Sequence, residues 1–317
     1  MTLQPSGFMS SNQSFFDPRL VGIDGAAFLD PAKLEEALLR LIPRAHISKG
    51  HFTYPSRAEL RDLVWNHMDQ NHRPHIHRTY GEAARLFIDP HASFSLTRYG
   101  RWPIAIPVFD GYFRENGFYQ VMVLFGLIVV VNIIECNKGD DGTRMDVGWV
   151  VASHRWLRFL HPILSRRFQR LNDVQNREDD PMRDQRVALR SADYRFATDV
   201  PNFLNSNVVA NNVEFPAFTG SHSIALKDLP EAELHRTEVG DRAYILRRTG
   251  QHLEVWPGIC PHEGAALGAC DVTGKLVRCP WHGLEFGPRR FGPDAGKAVL
   301  CGALLEFSGD ALTIGPA

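Results

Sequence analysis

The sequence predicts an α+β protein, and two observations carry that expectation. Two short amphipathic helices come first, followed by a run of strand-like segments and a late helix. At 317 residues the chain is long enough for two domains, and a stretch with several Asn residues and Pro216 reads as the linker between them. The expected divisions are a lead-in over 1–28, a first domain over 29–200, a linker over 201–217 and a second domain over 218–317.

Each element has a local reason. The first helix takes Asp30 as its cap and Pro31 as its first residue, and Leu34, Leu38, Leu41 and Ile42 share one face before Pro43 stops it. A second helix reads from a capping box of Ser56 with Glu59 and a stripe of Leu60, Leu63, Val64 and Met68. Strand-like runs follow at 93–99, 104–109, 118–125, 127–136 and 144–152, with a turn over 137–142 between the last two. The apolar stretch 118–136 contains Gln120, Asn132, Glu135 and a central Gly126, so it reads as two buried strands meeting at the glycine instead of a membrane span. A helix then runs over 153–171, bent at Pro162.

Composition narrows the function classes. A formal net charge of −1 gives no reason to expect nucleic acid or an anionic membrane as partner. Five cysteines, two of them in a metal-type motif, indicate a reducing compartment and not a disulfide framework. The opening residues lack a basic segment followed by an apolar core, so no signal peptide is visible and a cytoplasmic location is expected.

The densest chemistry is Cys260-Pro-His262, then sixteen residues, then Cys279-Pro-Trp-His282. Two thiolates and two imidazoles suit one tetrahedral zinc or a [2Fe–2S] cluster with mixed ligands. Each short loop offers one sulfur and one nitrogen, which a Rieske centre needs because one iron takes both thiolates and the other both imidazoles. Gly264 and Gly283 follow closely, where backbone must crowd the cluster. Residues 218–317 resemble an all-β Rieske domain of the oxygenase type, in Ile259-Cys-Pro-His-Glu-Gly and Arg278-Cys-Pro-Trp-His-Gly-Leu. The resemblance implies a low-potential, one-electron relay. No Ser or Tyr stands among Leu284-Glu285-Phe286, and Ala265 and Trp281 leave no disulfide between the ligand loops. Cys136, Cys270 and Cys301 fit no ligand role, and Cys270 reads as a buried thiol.

A second cluster stands at Asn66-x-x-Asp69-x-x-His72-x-x-x-x-His77. Asn66, Asp69 and His72 are spaced to share one side of a helix, and Pro74 lets the chain turn so that His77 can rejoin them. The pattern resembles the signature of the Rieske non-haem iron oxygenase catalytic domain. That resemblance implies a helix-grip domain, mononuclear Fe(II) on His72, His77 and a carboxylate, and Asp69 as a bridge to a Rieske histidine of a neighbouring subunit. The carboxylate comes from Glu178-Asp179-Asp180, following the long helix. Asp179 is favoured over Asp180, which can alternatively cap a helix starting at Pro181. His67 and His75 match no ligand position and read as solvent-facing or as neighbours of the ligands.

The expected function is that of a terminal oxygenase component, with the Rieske domain C-terminal where the family carries it N-terminal. A [2Fe–2S] cluster and mononuclear Fe(II) would activate O₂ to hydroxylate, demethylate or otherwise oxidise a small, largely apolar organic substrate. Asn66 and Asp69 would serve the reaction. No strand-linked G-x-G-x-x-G occurs, so electrons from NAD(P)H would arrive through a separate reductase, with or without a ferredoxin. The resemblance also implies a homo-oligomer, a trimer. The competing reading is a Rieske electron carrier fused to a ligand-binding helix-grip domain without catalysis.

Overall fold

A computed structural model describes residues 31–88, 92–101, 103–114, 116–139, 142–197, 212–294 and 296–317. The lead-in, Asp30, most of the linker and the tip of the 137–142 turn lie outside these residues.

The N-terminal part is a seven-stranded antiparallel sheet gripped by a long helix. Its elements are α1 (Pro31–Leu41), β1 (Ala45–Ser56), α2 (Leu60–Met68), α3 (Arg73–Ile76), β2 (Tyr80–Ile88), β3 (Ala92–Tyr99), β4 (Ala105–Arg114), β5 (Gly117–Leu124), β6 (Ile128–Gly139), β7 (Gly142–His154), a 3₁₀ turn (Arg155–Leu160) and α4 (His161–Ser191). Strands β2 to β7 form a meander, and β1 returns to pair with β7 along its whole length, giving the order β1-β7-β6-β5-β4-β3-β2. This arrangement is helix-grip-like. The 118–136 stretch is the β5–β6 hairpin: Phe125 and Gly126 both take positive φ (54° and 68°), and Leu127 N–H closes the turn on Leu124 O at 3.0 Å. Paired positive φ values suit the twist of a two-residue hairpin. Among the described residues no helix is long and apolar enough to cross a membrane.

Cross-strand pairing fixes which residues share the face under α4. One row, Tyr112, Phe118, Ile134 and Val147, belongs to the core shared with Leu63, Val64 and Met68 of α2. Another row, Val108, Met122, Val130 and Val151, packs on Phe168, Leu164 and Leu171 of α4. The opposite face is covered at Val131, Val150 and Ala152 by Leu34, Leu38 and Ile42 from α1 and the residue after it.

Several expectations change. Ser56 ends β1 and does not cap α2: its Oγ accepts from Ala58 N at 3.2 Å, and the cap residue Glu59 makes no side-chain cap bond. The late helix does not stop at Leu171 but runs to Ser191, with Pro162 in its first turn and Pro181 inside it. The carboxylates therefore lie on the long helix, and no new helix starts at Pro181. Cys270 is exposed, whereas Cys136 is buried in the core.

A short pair, β8 (Arg195–Phe196) and β9 (Val213–Glu214), leads into the C-terminal part, which is all β. Its larger strands are β10 (His222–Ala225), β11 (Leu234–Val239), β12 (Arg242–Thr249), β13 (His252–Pro257), β17 (Arg289–Phe291), β18 (Gly296–Leu300), β19 (Ala303–Phe307) and β20 (Ala311–Pro316). They form two four-stranded sheets, β10-β20-β19-β18 and β11-β12-β13-β17, around a core that includes Tyr244, Leu246, Val255, Leu305 and Phe307. A small third sheet of β14 (Val272–Thr273), β15 (Leu276–Arg278) and β16 (Glu285–Phe286) carries the second ligand loop. One buried cluster joins the two parts: Trp65 of α2 and Met182 of α4 pack with Cys260, Cys279 and Trp281.

Candidate functional site

The two ligand loops of the C-terminal part are built alike. In each, the Cys N–H bonds the carbonyl five residues on (Ala265 at 2.8 Å, Leu284 at 2.7 Å). In each, a glycine N–H returns to the Cys carbonyl (Gly264 to Cys260 at 3.0 Å, Gly283 to Cys279 at 2.8 Å). Both glycines have positive φ, 90° and 66°. A Cβ on Gly264 would lie 2.7 Å from Leu189 Cδ1 and one on Gly283 2.7 Å from His75 Cε1, so the loops press against the N-terminal part. His262 Nδ1 and His282 Nδ1 stand 3.2 Å apart, and all four candidate ligands are buried. Two ligands about 2.1 Å from one ion are about 3.0–3.4 Å apart, so the imidazoles fit a single iron. A hydrogen bond from Cys260, together with the bond and charge of His282, outweighs burial and lowers the Cys279 thiol, while burial and the same pairing raise that of Cys260. The sulfur pair therefore offers a thiolate, as a metal ligand must.

Residues 222–294 match the Rieske [2Fe–2S] domain family. The C-terminal part is a Rieske domain. Its presence implies the [2Fe–2S] cluster and an electron-transfer role, and such domains are typical of oxidoreductases. No curated protein matches the chain. Among solved structures, the di-domain ARO/CYC StfQ from the steffimycin biosynthetic pathway is similar at 8% identity and TM-score 0.39, over 49% of this chain and 56% of that one. Norcoclaurine synthase from Thalictrum flavum is similar at 9% identity and TM-score 0.31 (38% and 78% covered), and the Mll3558 protein from Rhizobium loti at 14% and 0.33 (42% and 98% covered). These are likenesses of outline; the helix-grip description rests on strand order and α4.

In the N-terminal part three side chains converge. His72 Nε2 is 3.3 Å from His77 Nε2 and 3.3 Å from Asp179 Oδ1, and His77 Nε2 is 3.4 Å from the same oxygen. His72 closes the segment between α2 and α3, the single turn of α3 carries Pro74, and His77 follows that turn. This local bend brings the two rings together. Asp179 projects from the buried stripe of α4 and turns its Oδ1 to the two imidazoles. Two imidazoles and one carboxylate, buried and mutually within 4.8 Å, fit a divalent ion of the facial-triad type.

The electrostatics favour the ligand forms of Asp179 and His77. Burial pushes the Asp179 carboxyl up, but the hydrogen bond and charge of His72, with Arg183 and His77, hold it well below the ordinary range. Burial drops His77 to about 4, leaving a neutral imidazole. Burial also opposes protonation of His72, yet Asp179 and then Asp69 outweigh it and raise the group. Asp180 faces elsewhere, half exposed, accepting from Tyr54 Oη and lying 3.6 Å from Arg183.

Asp69 links the two sites. Its Oδ2 is 2.6 Å from His282 Nε2 and 3.4 Å from His72 Nδ1. The histidine belongs to the same chain, whereas the resemblance implies one from a neighbouring subunit. Burial lowers His282, but the charge and hydrogen bond of Asp69 win and raise it to about 10, consistent with a proton held on Nε2 toward the carboxylate. Asn66 does not reach the triad; its Oδ1 accepts from Arg183 Nε and a terminal nitrogen at 3.0 and 2.7 Å, and Arg183 lies 3.4 Å from Asp179 Oδ2. Asn66 is thus a positioning residue.

Sequence reasoning missed Arg183, Arg186 and Asp62, and the role of Glu178 beside His77. Glu178 Oε2 is 3.1 Å from His77 Nδ1 and orients that ring. Arg186, wholly buried, donates to Asp62 Oδ1 at 2.7 Å and to Glu263 Oε2 at 3.0 Å, clamping α2 and α4 to the first Rieske loop. The available signal was the spacing 172, 176, 179, 183, 186, a helical period occupied by polar residues. His67 is partly buried against Phe118, with ring centroids 5.0 Å apart, and does not face solvent. His75 is exposed at the rim of the Rieske loop. A groove of about 940 Å³ near Arg57, Arg61, Lys138 and Thr143 contains none of these residues.

Proposed function

We propose that the chain is the terminal component of a Rieske-type oxygenase, in which both metal sites of one molecule serve each other. The observation that carries this reading is the unbroken line of contacts His262–His282–Asp69–His72 running from one donor set into the other. When bound, a [2Fe–2S] cluster on Cys260, His262, Cys279 and His282 supplies single electrons, and Fe(II) on His72, His77 and Asp179 supplies the activation of O₂. The protein's own work is positional. Asp69 holds a proton shared with His282 Nε2 and keeps His72 in its tautomer; Glu178 does the same for His77, and Arg183 with Asn66 fixes Asp179. Trp65 and Trp281, with centroids 5.9 Å apart, help keep water from the line between the sites. Electrons from NAD(P)H enter from a separate reductase, and the substrate is a small organic molecule held between the sheet and α4.

Two measurements test this. Fully loaded protein should contain three irons per chain; two would leave a Rieske carrier attached to a ligand-binding domain. Coexpression of a Cys279→Ser chain with an Asp179→Ala chain should yield no product above either variant alone. Recovery of turnover in the mixture would show that electrons cross between subunits and would defeat the single-chain part of the proposal.

A further inference from the structure

The face of the sheet beneath α4 is not uniformly apolar. Between the two apolar rows runs a third, whose directly opposed residues are Ser93, Asp110, Gln120, Asn132 and Trp149. It begins beside the metal triad, because Arg73, the residue after His72, reaches Asp110 Oδ1 at 3.3 and 3.4 Å. Gln120 Nε2 donates to that same oxygen at 2.9 Å, and Asn132 Nδ2 donates to Gln120 Oε1 at 3.3 Å. Asp110 and Asn132 are at least nine-tenths buried, at 5% and 3% exposure.

The direction of these bonds is forced. An ionised carboxylate only accepts, so Gln120 must turn its amide nitrogen to Asp110 and its oxygen to Asn132. Asn132 must then give its own nitrogen to Gln120, which leaves Asn132 Oδ1 as an acceptor. Among the described residues that atom has no hydrogen-bond partner, and neither has Asp110 Oδ2. Two buried acceptors thus stand two strands apart on one face, about 10 Å from one another at the usual strand spacing. Buried acceptors without partners are costly, by an amount that a donor from a ligand recovers. Arg73 already balances the Asp110 charge, so the row attracts a dipolar group and not a cation.

We infer that this row selects the ligand of the helix-grip part: a neutral organic molecule with an apolar body and at least one N–H or O–H donor, received by Asp110 Oδ2 or Asn132 Oδ1. Its description as a substrate rests on the oxygenase reading; its binding does not. Asp110 and Asn132 are accordingly specificity-determining residues, and the expectation of a largely apolar substrate is narrowed to one with a polar handle.

The test uses the full-length, cluster-loaded protein and three matched probe pairs: phenol with anisole, indole with 1-methylindole, and benzamide with N,N-dimethylbenzamide. Dissociation constants come from ligand-observed nuclear magnetic resonance. In at least one pair the donor-bearing member should bind about 10-fold more tightly, the worth of one buried hydrogen bond otherwise unmade. Asn132→Leu should lower that ratio, to near unity where Asn132 Oδ1 is the receiving atom. Asp110→Asn, which keeps an oxygen for Arg73 and Gln120 but turns the second acceptor into a donor, should also lower it, and circular dichroism establishes that each variant is folded. Equal binding throughout, preference for the methylated members, binding of none of the six, or a ratio unchanged in both variants overturns the inference. Iron content and turnover decide the oxygenase reading separately: a protein with two irons that still prefers donors would keep the row and lose the chemistry.

Discussion

Replacing Arg186 by Met removes the cation that ties the Rieske loop to the N-terminal part. Arg186 is wholly buried between Asp62 and Glu263, and its guanidinium lies 4.0 Å from the Trp65 ring centroid and 3.6 Å from that of Phe196. Breaking a buried ion pair by deleting one partner costs about 3–5 kcal/mol, since the remaining charge stays desolvated. The lower end applies here, because Asp62 keeps Arg190 at 2.7 and 2.8 Å and Glu263 keeps the Asn212 amide at 3.3 Å. Loss of the cation–π contacts adds about 1 kcal/mol, partly offset by the sulfur and methylenes of Met. The expected loss is therefore about 3 kcal/mol, a fall in melting temperature of roughly 6 °C or more by circular dichroism. A second variant isolates the cause: Arg186→Met with Glu263→Leu replaces the pair by apolar groups and should recover about 2 kcal/mol of that loss. A single variant within 1 kcal/mol of the parent, or a double variant no more stable than the single, would refute the clamp.

Three further outcomes are expected. Asp69→Asn should leave iron content and the Rieske spectrum unchanged while lowering product formed per reduced cluster about 10- to 100-fold in a single turnover, the usual range for a residue that orients metal ligands; an unaltered yield would remove Asp69 from the link. Gly264→Ala should destabilise by about 2–4 kcal/mol, from positive φ together with a Cβ 2.7 Å from Leu189, and a melting temperature equal to the parent's would contradict the close approach of the loop to α4. His161 contacts Ser48 Oγ at 2.9 Å and Ser153 Oγ at 2.8 Å, and burial, then His46, lower its pKa below the ordinary 6.5. A depressed folded pKa means that the contribution of His161 is complete above pH 6.5 and is lost as pH falls through the folded value. His161→Gln should flatten the stability curve on that acid side, and an identical curve would count against the assignment.

How much the sequence disclosed differs from one part of the fold to another. Strands β3 to β7 were legible because Val, Ile and Phe recur in them at short range. The edge strand β2 was not, since both of its faces are largely exposed and Tyr-Gly-Glu-Ala-Ala-Arg-Leu-Phe-Ile shows no two-residue alternation. Strand β1 was hidden by Lys49, Gly50 and Pro55; Gly50 is there because the Trp149 indole occupies the space a Cβ would need, at 1.9 Å. The second half of α4 was lost for a more telling reason. Its buried stripe turns from Phe168 to Asn172, Asn176, Asp179, Arg183 and Arg186, so hydrophobic periodicity ends where the chemistry begins. The spacing of Cys260, His262, Cys279 and His282 was readable without a fold because both loops are local. The Asp62–Arg186–Glu263 clamp was not, because its members are 124 and 77 residues apart.

The position of the Rieske domain follows from the same clamp. A domain attached after α4 must reach the face of the sheet from the C-terminal end of that helix, and Leu189, Tyr194 and Phe196 form a small core there with Val213 and Ile259 beside the first ligand loop. That core sets the height of the loop, Arg186 and Glu263 fix its rotation, and Gly264 and Gly283 remove the side chains that would hold it away. With those three constraints met, His282 lands on Asp69 at 2.6 Å without a second chain. The C-terminal placement suits this alignment: Arg186 of the clamp, Leu189, Tyr194 and Phe196 of the small core, and Asp179 all lie on or just after α4. A chain lengthened by several flexible residues after Phe196 keeps the clamp and the small core, so the Rieske spectrum, the iron content and the registry between the donor sets should all persist. Opening the clamp with Arg186→Met should instead slow transfer to the second site, and a transfer rate indifferent to that substitution would mean that the clamp does not set the alignment.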